Sequence, residues 1–291
     1  MKDNKLLVLL LFISVTVMAQ VKGIVVDEFS KPISYVNIWV ENGNNSTTSE
    51  ENGEFTINCE PNKKLIFSAL GYEKRTVIAS ESDKVILKIN TFELSEVVIE
   101  KRFETRQIEI GKVKIESYQA FENGPRIDAK FFPYDPKYKK TKYIKQVAII
   151  TDSQLESSSF KIHFYGVNSD GSPGEELLKK DYLVSVKKGV KKGYFNVVDF
   201  NLRMPKNGIF VGFEKLIIEK NKLEKEVVDS NTKATAIQKM YFPYVLYNYV
   251  ERDFIYTFSG GKWSKQTKQD IANPSDKMSV YEPAINLILT N

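Results

Sequence analysis

A single cysteine and a single histidine occur in 291 residues. One thiol cannot close an internal disulfide, so the cores must hold without a covalent framework. One imidazole and one distant thiol do not supply the several Cys or His ligands that a zinc site takes, and no metal is expected. Any Ser-His-Asp or Cys-His arrangement would have to use His163. Long apolar runs are also missing: beyond residue 19, no segment is apolar for the roughly twenty residues that a membrane-spanning helix needs. No glycine-rich phosphate-cradling loop is present, and no cofactor is expected. Neither charge dominates. Lys and Arg number 42 against 37 Asp and Glu, a net +5, and the cations alternate with apolar residues as on a solvated sheet face. That mild balance, in a chain expected to be exported, argues against nucleic acid as a partner.

What is present begins with MKDNKLLVLLLFISVTVMAQ. Lys2 and Lys5 precede an apolar run from Leu6 to Val15, and Val17-Met18-Ala19 supplies a cleavage pattern. Residues 1–19 read as a secretory signal peptide. The run is about half the length of a bilayer span, and no lipid-accepting cysteine follows it. The expectation is export to the periplasm, the outer-membrane surface or the medium, with no transmembrane segment in the mature chain.

From Gln20 onward the hydrophobic period is two. VKGIVVD, YVNIWV, GEFTIN, KKLIFSAL, KRTVIA and KVILKI are short, β-branched or aromatic, and punctuated by turn residues. Spacing of about ten residues predicts a small β-sandwich over residues 20–99. After a charged stretch, strands resume: YIKQVAIIT, FKIHFYGV, DYLVSV, GYFNVVDF, NGIFVGFEKLII, MYFPYVLYNYV and RDFIYTF. These predict a larger jelly-roll-like sandwich over residues 100–291, the candidate binding domain, with the boundary near residue 100. NSDGSPG and PKNG read as tight turns. EELLKK reads as one helical turn, and EKNKLEKEVVDSNTKA as a long loop or short helix. The basic run PKYKKTKYIK reads as a strand edge blunted by lysines, with anionic lipid or glycan contact the alternative. The fold class is all-β.

GIVVDEFSKPISYVNIWV, NGEFTI and KLIFSALGYEKRTV together resemble the carboxypeptidase-regulatory-like domain, a transthyretin-like sandwich of exported Bacteroidota proteins. Gly23, Val25, Asp27, Pro32, Gly53, Phe55, Gly71 and Tyr72 carry the resemblance. Val36 stands where Ala is usual, and Ser49-Glu50 where Thr-Asp is usual. The resemblance implies an accessory module without catalytic residues, of the kind that precedes TonB-dependent receptors and peptidases. The second region is similar to jelly-roll segments shared by carbohydrate-binding and adhesion modules.

Residue by residue, the expectations are mostly structural. Gly53 and Gly71 suit positive-φ turns. Cys59, in line with Phe55 and Ile57, reads as a buried thiol. His163 lies opposite Ile162 and Phe164 and reads as structural or exposed. The neighbouring acids Asp27-Glu28, Glu50-Glu51 and Glu175-Glu176 do not establish the facing carboxyls of a glycosidase. NSDGSPGEE has oxygen ligands for calcium without EF-hand spacing, so a hairpin turn is favoured. Residues 241–263 hold nine aromatics, from which Trp263, Tyr244, Tyr247 and Tyr249 are taken as a candidate ligand platform. The functional expectation is a non-catalytic envelope protein that binds a protein or glycan partner, with possible outer-membrane association. A hydrolase, or accessory to one, acting on peptide or glycan and a purely structural envelope component are the alternatives.

Overall fold

The computed structural model describes residues 20–90, 104–112, 118–121, 124, 126–228, 234–267 and 278–291. The leader and the boundary near residue 100 lie outside the described residues. The described chain is all-β, with short 3-10 turns as its helical elements.

Seven strands come first: β1 (Gln20–Asp27), β2 (Asn37–Val40), β3 (Ser46–Thr48), β4 (Glu54–Asn58), β5 (Lys64–Ser68), β6 (Arg75–Ile78) and β7 (Lys84–Leu87). They form a three-stranded sheet, β4-β1-β7, facing a four-stranded sheet, β3-β2-β5-β6. Alternation delivers Val25, Ile38, Phe55, Ile57, Leu65, Phe67, Val85 and Leu87 to the space between them. Phe55 and Phe67 meet edge to face at 5.4 Å. Burying each such ring contributes about 1.5–3 kcal/mol. Cys59 is buried in the same core.

The family positions act through the backbone. The Asp27 carboxylate accepts from Phe29 N and Lys31 N, fixing the turn after β1. Ser49, where Thr is usual, accepts from Val36 N and donates to Ile33 O inside the core edge. A hydroxyl is what that place requires, and Ser supplies it.

The larger body holds β8 (Gln107–Ile110), β9 (Tyr118–Ala120), β10 (Ile127–Phe132), β11 (Tyr143–Ser153), β12 (Ser158–Val167), β13 (Pro173–Glu176), β14 (Tyr182–Val186) and β15 (Gly189–Asn196). It continues with β16 (Ile209–Lys215), β17 (Lys222–Val228), β18 (Thr235–Tyr241), β19 (Tyr244–Glu251), β20 (Phe254–Ser259), β21 (Lys262–Thr267), β22 (Ser279–Pro283) and β23 (Ile285–Thr290). The front sheet runs β13-β12-β16-β10-β20-β21, with β14 also on β12. The back sheet runs β22-β19-β11-β23-β8, with β15 on β11 and β9 on β19. Between them lie Phe160, Ile162, Phe164, Val211, Phe213, Ile149, Leu287 and Leu289.

Three local expectations are corrected. EELLKK is not a helical turn: Pro173–Glu176 is strand β13, held extended because the Glu176 carboxylate accepts from Phe164 N and reaches His163 on β12. EKNKLEKEVVDSNTKA is neither loop nor helix at its centre. After a 3-10 turn at Glu219–Asn221 it forms β17, which pairs with β18 from Lys222↔Tyr241 to Val228↔Thr235. Residues 229–233 of that stretch lie outside the described residues. The lysine run is not a strand edge from Pro136. Asp135 caps a 3-10 helix, Pro136–Lys140, and pairs with Lys137, before β11 starts at Tyr143.

The front sheet is covered on both faces. Its outer face carries Lys161, His163 and Tyr165 on β12 and Phe210 and Glu214 on β16, and the first body packs over part of it. Lys161 donates to Tyr35 O at 2.7 Å. Ile217 N and Glu219 N donate to Thr48 Oγ1 and Glu50 Oε1. Trp39 meets Phe258 edge to face at 5.6 Å. This explains why every residue of β16 is buried, a pattern unlike the alternation of a one-sided sheet.

Two glycines separate conformation from space. A Cβ on Gly53 (φ 80°) would lie 2.6 Å from Val25 O, whereas one on Gly71 (φ 86°) would meet nothing within 4 Å. Gly71→Ala is expected to cost about 1 kcal/mol for the left-handed conformation alone, and Gly53→Ala about 2–3 kcal/mol. Thermal melts of the two variants check the order.

Candidate functional site

Two features of the larger body have the makings of a site. One is the charged cluster on the outer face of the front sheet, and the other is a cleft at the end of that sheet.

The cluster arises from register. Lys161 sits directly across from Glu214, and His163 across from Gly212. The missing side chain at Gly212 leaves room beside the imidazole; a Cβ there would be 3.4 Å from His163 Cβ. His163 Nδ1 meets Glu176 Oε2 at 2.8 Å, and Nε2 meets Glu214 Oε2. Both ring nitrogens face carboxylates, so both carry protons and the ring is an imidazolium. Burial alone would push its pKa down. The Glu176 charge and the hydrogen bonds to both carboxylates outweigh that and hold it up at about 10. Glu214 shows the converse. Burial pushes it up, but the Lys161 charge and the His163 hydrogen bond bring it down to about 2. Lys161 also pairs with Asp181 at 2.8 Å. The only histidine is therefore committed on both nitrogens, which leaves it neither a free base nor a metal ligand.

The cleft arises where the front sheet divides. β20 pairs with β10 from Ile127↔Phe258 to Ala129↔Tyr256 and no further, while β16 follows β10 all the way to Phe132↔Ile209. From Lys130 onward β20 therefore turns away, and a cavity of about 460 Å³ opens between Ala129–Pro133 on one side and Arg252–Tyr256 on the other. Its size is that of a small-ligand pocket. Phe131, Phe210, Phe254 and Tyr256 form its aromatic wall, with Phe131 and Phe210 rings 4.9 Å apart.

Its floor is charged. Lys130, buried, donates to Gly111 O at 2.8 Å and pairs with Glu282 at 2.9 Å. Arg252 grips the same carboxylate through Nε and Nη2 and donates from Nη1 to Glu251 O. Burial pushes the Lys130 pKa down, and Glu282 offsets this only in part. Asp253 lines the cavity and is exposed at its rim.

The four platform residues do not share a surface. Tyr247 is buried, its hydroxyl donating to Asp128 Oδ2 at 2.6 Å. Tyr244 is half-buried, with the Lys215 ammonium 4.5 Å from its ring centre. Trp263 is also half-buried, its ring edge-on to Tyr165 and Phe258. Tyr249 alone is open, at 61% exposure, beside Tyr281 at 39%, with rings 5.0 Å apart. From the aromatic stretch it is Phe254 and Tyr256 that reach the cleft. Lys130, Arg252 and Glu282 were not singled out from sequence. The available signal was charge inside two strands with apolar neighbours, Asp128 and Lys130 in IDAKFF and Glu282 in SVYEP.

Residues 21–99 match the CarboxypepD_reg-like domain, and this segment is a module of that type. Among curated proteins, the chain is 30% identical over 92 residues to the TonB-dependent receptor SusC of Bacteroides thetaiotaomicron. That stretch covers 31% of this chain and 9% of the receptor, so the chain spans under a tenth of the relative's length. A solved structure of the infectious bursal disease virus Gx strain aligns over 93% of this chain and 63% of that chain, at 8% identity and a TM-score of 0.24. Among the described residues, no helix is long and apolar enough to cross a membrane.

The charged cluster sets a pH dependence. The pKa of His163 is raised from 6.5 to about 10, so its contribution to stability is complete below 6.5 and is lost as pH rises through about 10. That of Glu214 is lowered from 4.5 to about 2, so its contribution is complete above 4.5 and is lost as pH falls through about 2. His163→Gln removes the imidazolium partner of buried Glu214 and half-buried Glu176 and is expected to cost about 3 kcal/mol. It should also flatten the fall in melting temperature of the wild type between neutral and alkaline pH. Melts of both proteins across that range test the pair of effects.

Proposed function

We propose that this chain is a non-catalytic, exported recognition protein of the Bacteroidota cell envelope. Its CarboxypepD_reg-like module serves as a docking or spacer unit, and the larger sandwich holds a protein partner. The observation that carries the reading is the cleft at the β10–β20 fork: concave, aromatic-walled and floored by convergent charges, the combination from which binding sites are built. The envelope setting is supported by the leader and by the similarity to a TonB-dependent receptor of Bacteroides.

The non-catalytic part is supported by how the reactive groups are spent. His163 is held by two carboxylates. Cys59 is buried, and burial pushes its thiol pKa up, away from the reactive thiolate. Glu282, the buried acid of the cleft, holds two cations. A hydrolase needs a carboxyl free to hold or move a proton.

A glycan reading has one observation in its favour, the exposed Tyr249–Tyr281 pair. Two neighbouring rings, tilted to each other on an open face, offer apolar surface to a sugar.

Blocking the cleft distinguishes the readings. Ile255 lines it, and Ile255→Arg is expected to abolish retention of a specific envelope protein that the wild-type chain retains, with the melting temperature little changed. Equal retention by both proteins removes the cleft from the reading. Loss of glycan-array binding on Tyr249→Ser, with the cleft intact, would transfer recognition to the tyrosine pair.

A further inference from the structure

Resting on the recognition reading of this cleft, we infer that the fork takes the free C-terminal carboxylate of an extended peptide. Three observations point to that ligand.

The first is shape. Where β20 leaves β10, the β10 segment Lys130–Phe132 keeps β16 on one side and, among the described residues, has no paired strand on the other. The opening is thus the place of a missing strand, lying against a free strand edge. Such an edge supplies main-chain donors and acceptors to an incoming extended segment. The cavity of about 460 Å³ holds roughly three or four residues at strand rise. A sugar ring has no main chain to pair with that edge, which favours a peptide over a saccharide.

The second is charge. Lys130, Arg252 and Glu282 sum to +1 at the floor. Lys265 lies over the Phe254 and Tyr256 rings, where it also acts on Asp170, and Asp253 lines the cavity. Farther out, Lys137 beside Tyr138 is matched by Asp135. A monoanion beside the partly exposed Arg252 would bring this floor to neutrality around the buried Lys130–Glu282 pair.

The third is donor geometry. Arg252 has five N–H groups, of which two go to Glu282 and one to Glu251 O. Glu282 fixes the guanidinium plane, and two N–H groups have no acceptor among the described residues. A guanidinium pinned along one edge presents its remaining donors to a carboxylate in a set orientation. The Phe131 and Phe254 rings pack on each other with centres 5.8 Å apart and together offer an apolar wall to a last side chain.

The test uses the full chain and fluorescein-labelled tetrapeptide pools, randomised except for a final Phe, Leu or Val. Each pool is made as the free acid and as the C-terminal amide, and a glucuronate-terminated disaccharide serves as the saccharide source of a carboxylate. The free acids are expected to bind, with the matched amides about tenfold weaker or more. Arg252→Gln is expected to lose that acid preference, with a lower melting temperature because Glu282 keeps only Lys130 as its cation. Phe254→Ala, which leaves the charges in place, should weaken acids and amides alike. Equal binding of acid and amide to the wild type overturns the inference and needs no variant to read. Binding of the disaccharide in place of the peptides overturns it also. If Ile255→Arg abolishes partner retention while acid and amide bind equally, recognition through the cleft stands and C-terminal capture falls. If neither retention nor probe binding responds to cleft variants, both fall.

Discussion

Lys161 is a cation with almost no access to solvent, and the arrangement of the two bodies depends on satisfying it. It lies on the outer face of the front sheet, where a free-standing sandwich would meet water. With the first body in place, it is neutralised by Asp181 and capped by the Tyr35 carbonyl. Tyr35 itself holds a positive φ of 56°, a conformation that costs a non-glycine residue free energy. That turn aims its carbonyl at the ammonium. With the two bodies packed together, losing Asp181 would leave the Lys161 ammonium buried without its ion pair, and breaking such pairs is far costlier than forming them is favourable. The network therefore acts less as glue than as a registration device, because it fits one placement of the small sandwich on the large one.

The same placement reaches the cleft through rings. Trp39 of the first body touches Phe258, Phe258 touches Trp263, and Trp263 touches Tyr165. Tyr165 shares a packed cluster with Phe210 and Tyr256, the inner wall of the fork. The aromatic stretch is thus mainly a buttress. Its rings tie the domain seam at one end of the front sheet to the opening at the other, and few of them face solvent. That is why a platform expected from Trp263, Tyr244, Tyr247 and Tyr249 is dispersed between core, seam and surface.

Much of the fold was legible because period two is a strong signal wherever one face of a strand is wet. GEFTIN shows it plainly: Phe55 and Ile57 go in, Glu54 and Thr56 stay out. The turn glycines were equally readable, since Gly53 and Gly71 do adopt positive φ. Legibility failed where tertiary contacts override local pattern. The charged, lysine-rich β17 resembles a loop and is a strand only through its pairing with β18. EELLKK has helical composition and is drawn out by a single carboxylate bonding sideways to β12. The histidine was placed on the correct face, but its partners are 13 and 51 residues away along the chain, a separation that no local motif encodes.

The cleft was illegible for a related reason. Nothing in IDAKFF announces that pairing with β20 stops at Ala129, because a divergence of strands belongs to two segments more than a hundred residues apart. What the sequence does contain is its consequence. A sheet that opens exposes backbone and removes neighbours, and the loss must be offset by other contacts. Here the offset is charged: Lys130 fills the inner side of the fork, bonded to Gly111 O and Glu282, and Arg252 closes around that same carboxylate. A lysine in a buried strand is expensive, and an alkyl side chain would fill the volume more cheaply. Its presence beside a pinned arginine, in a cavity walled by rings, is the arrangement expected of a place that receives charge from outside, since a purely structural fork would be better served by leucine.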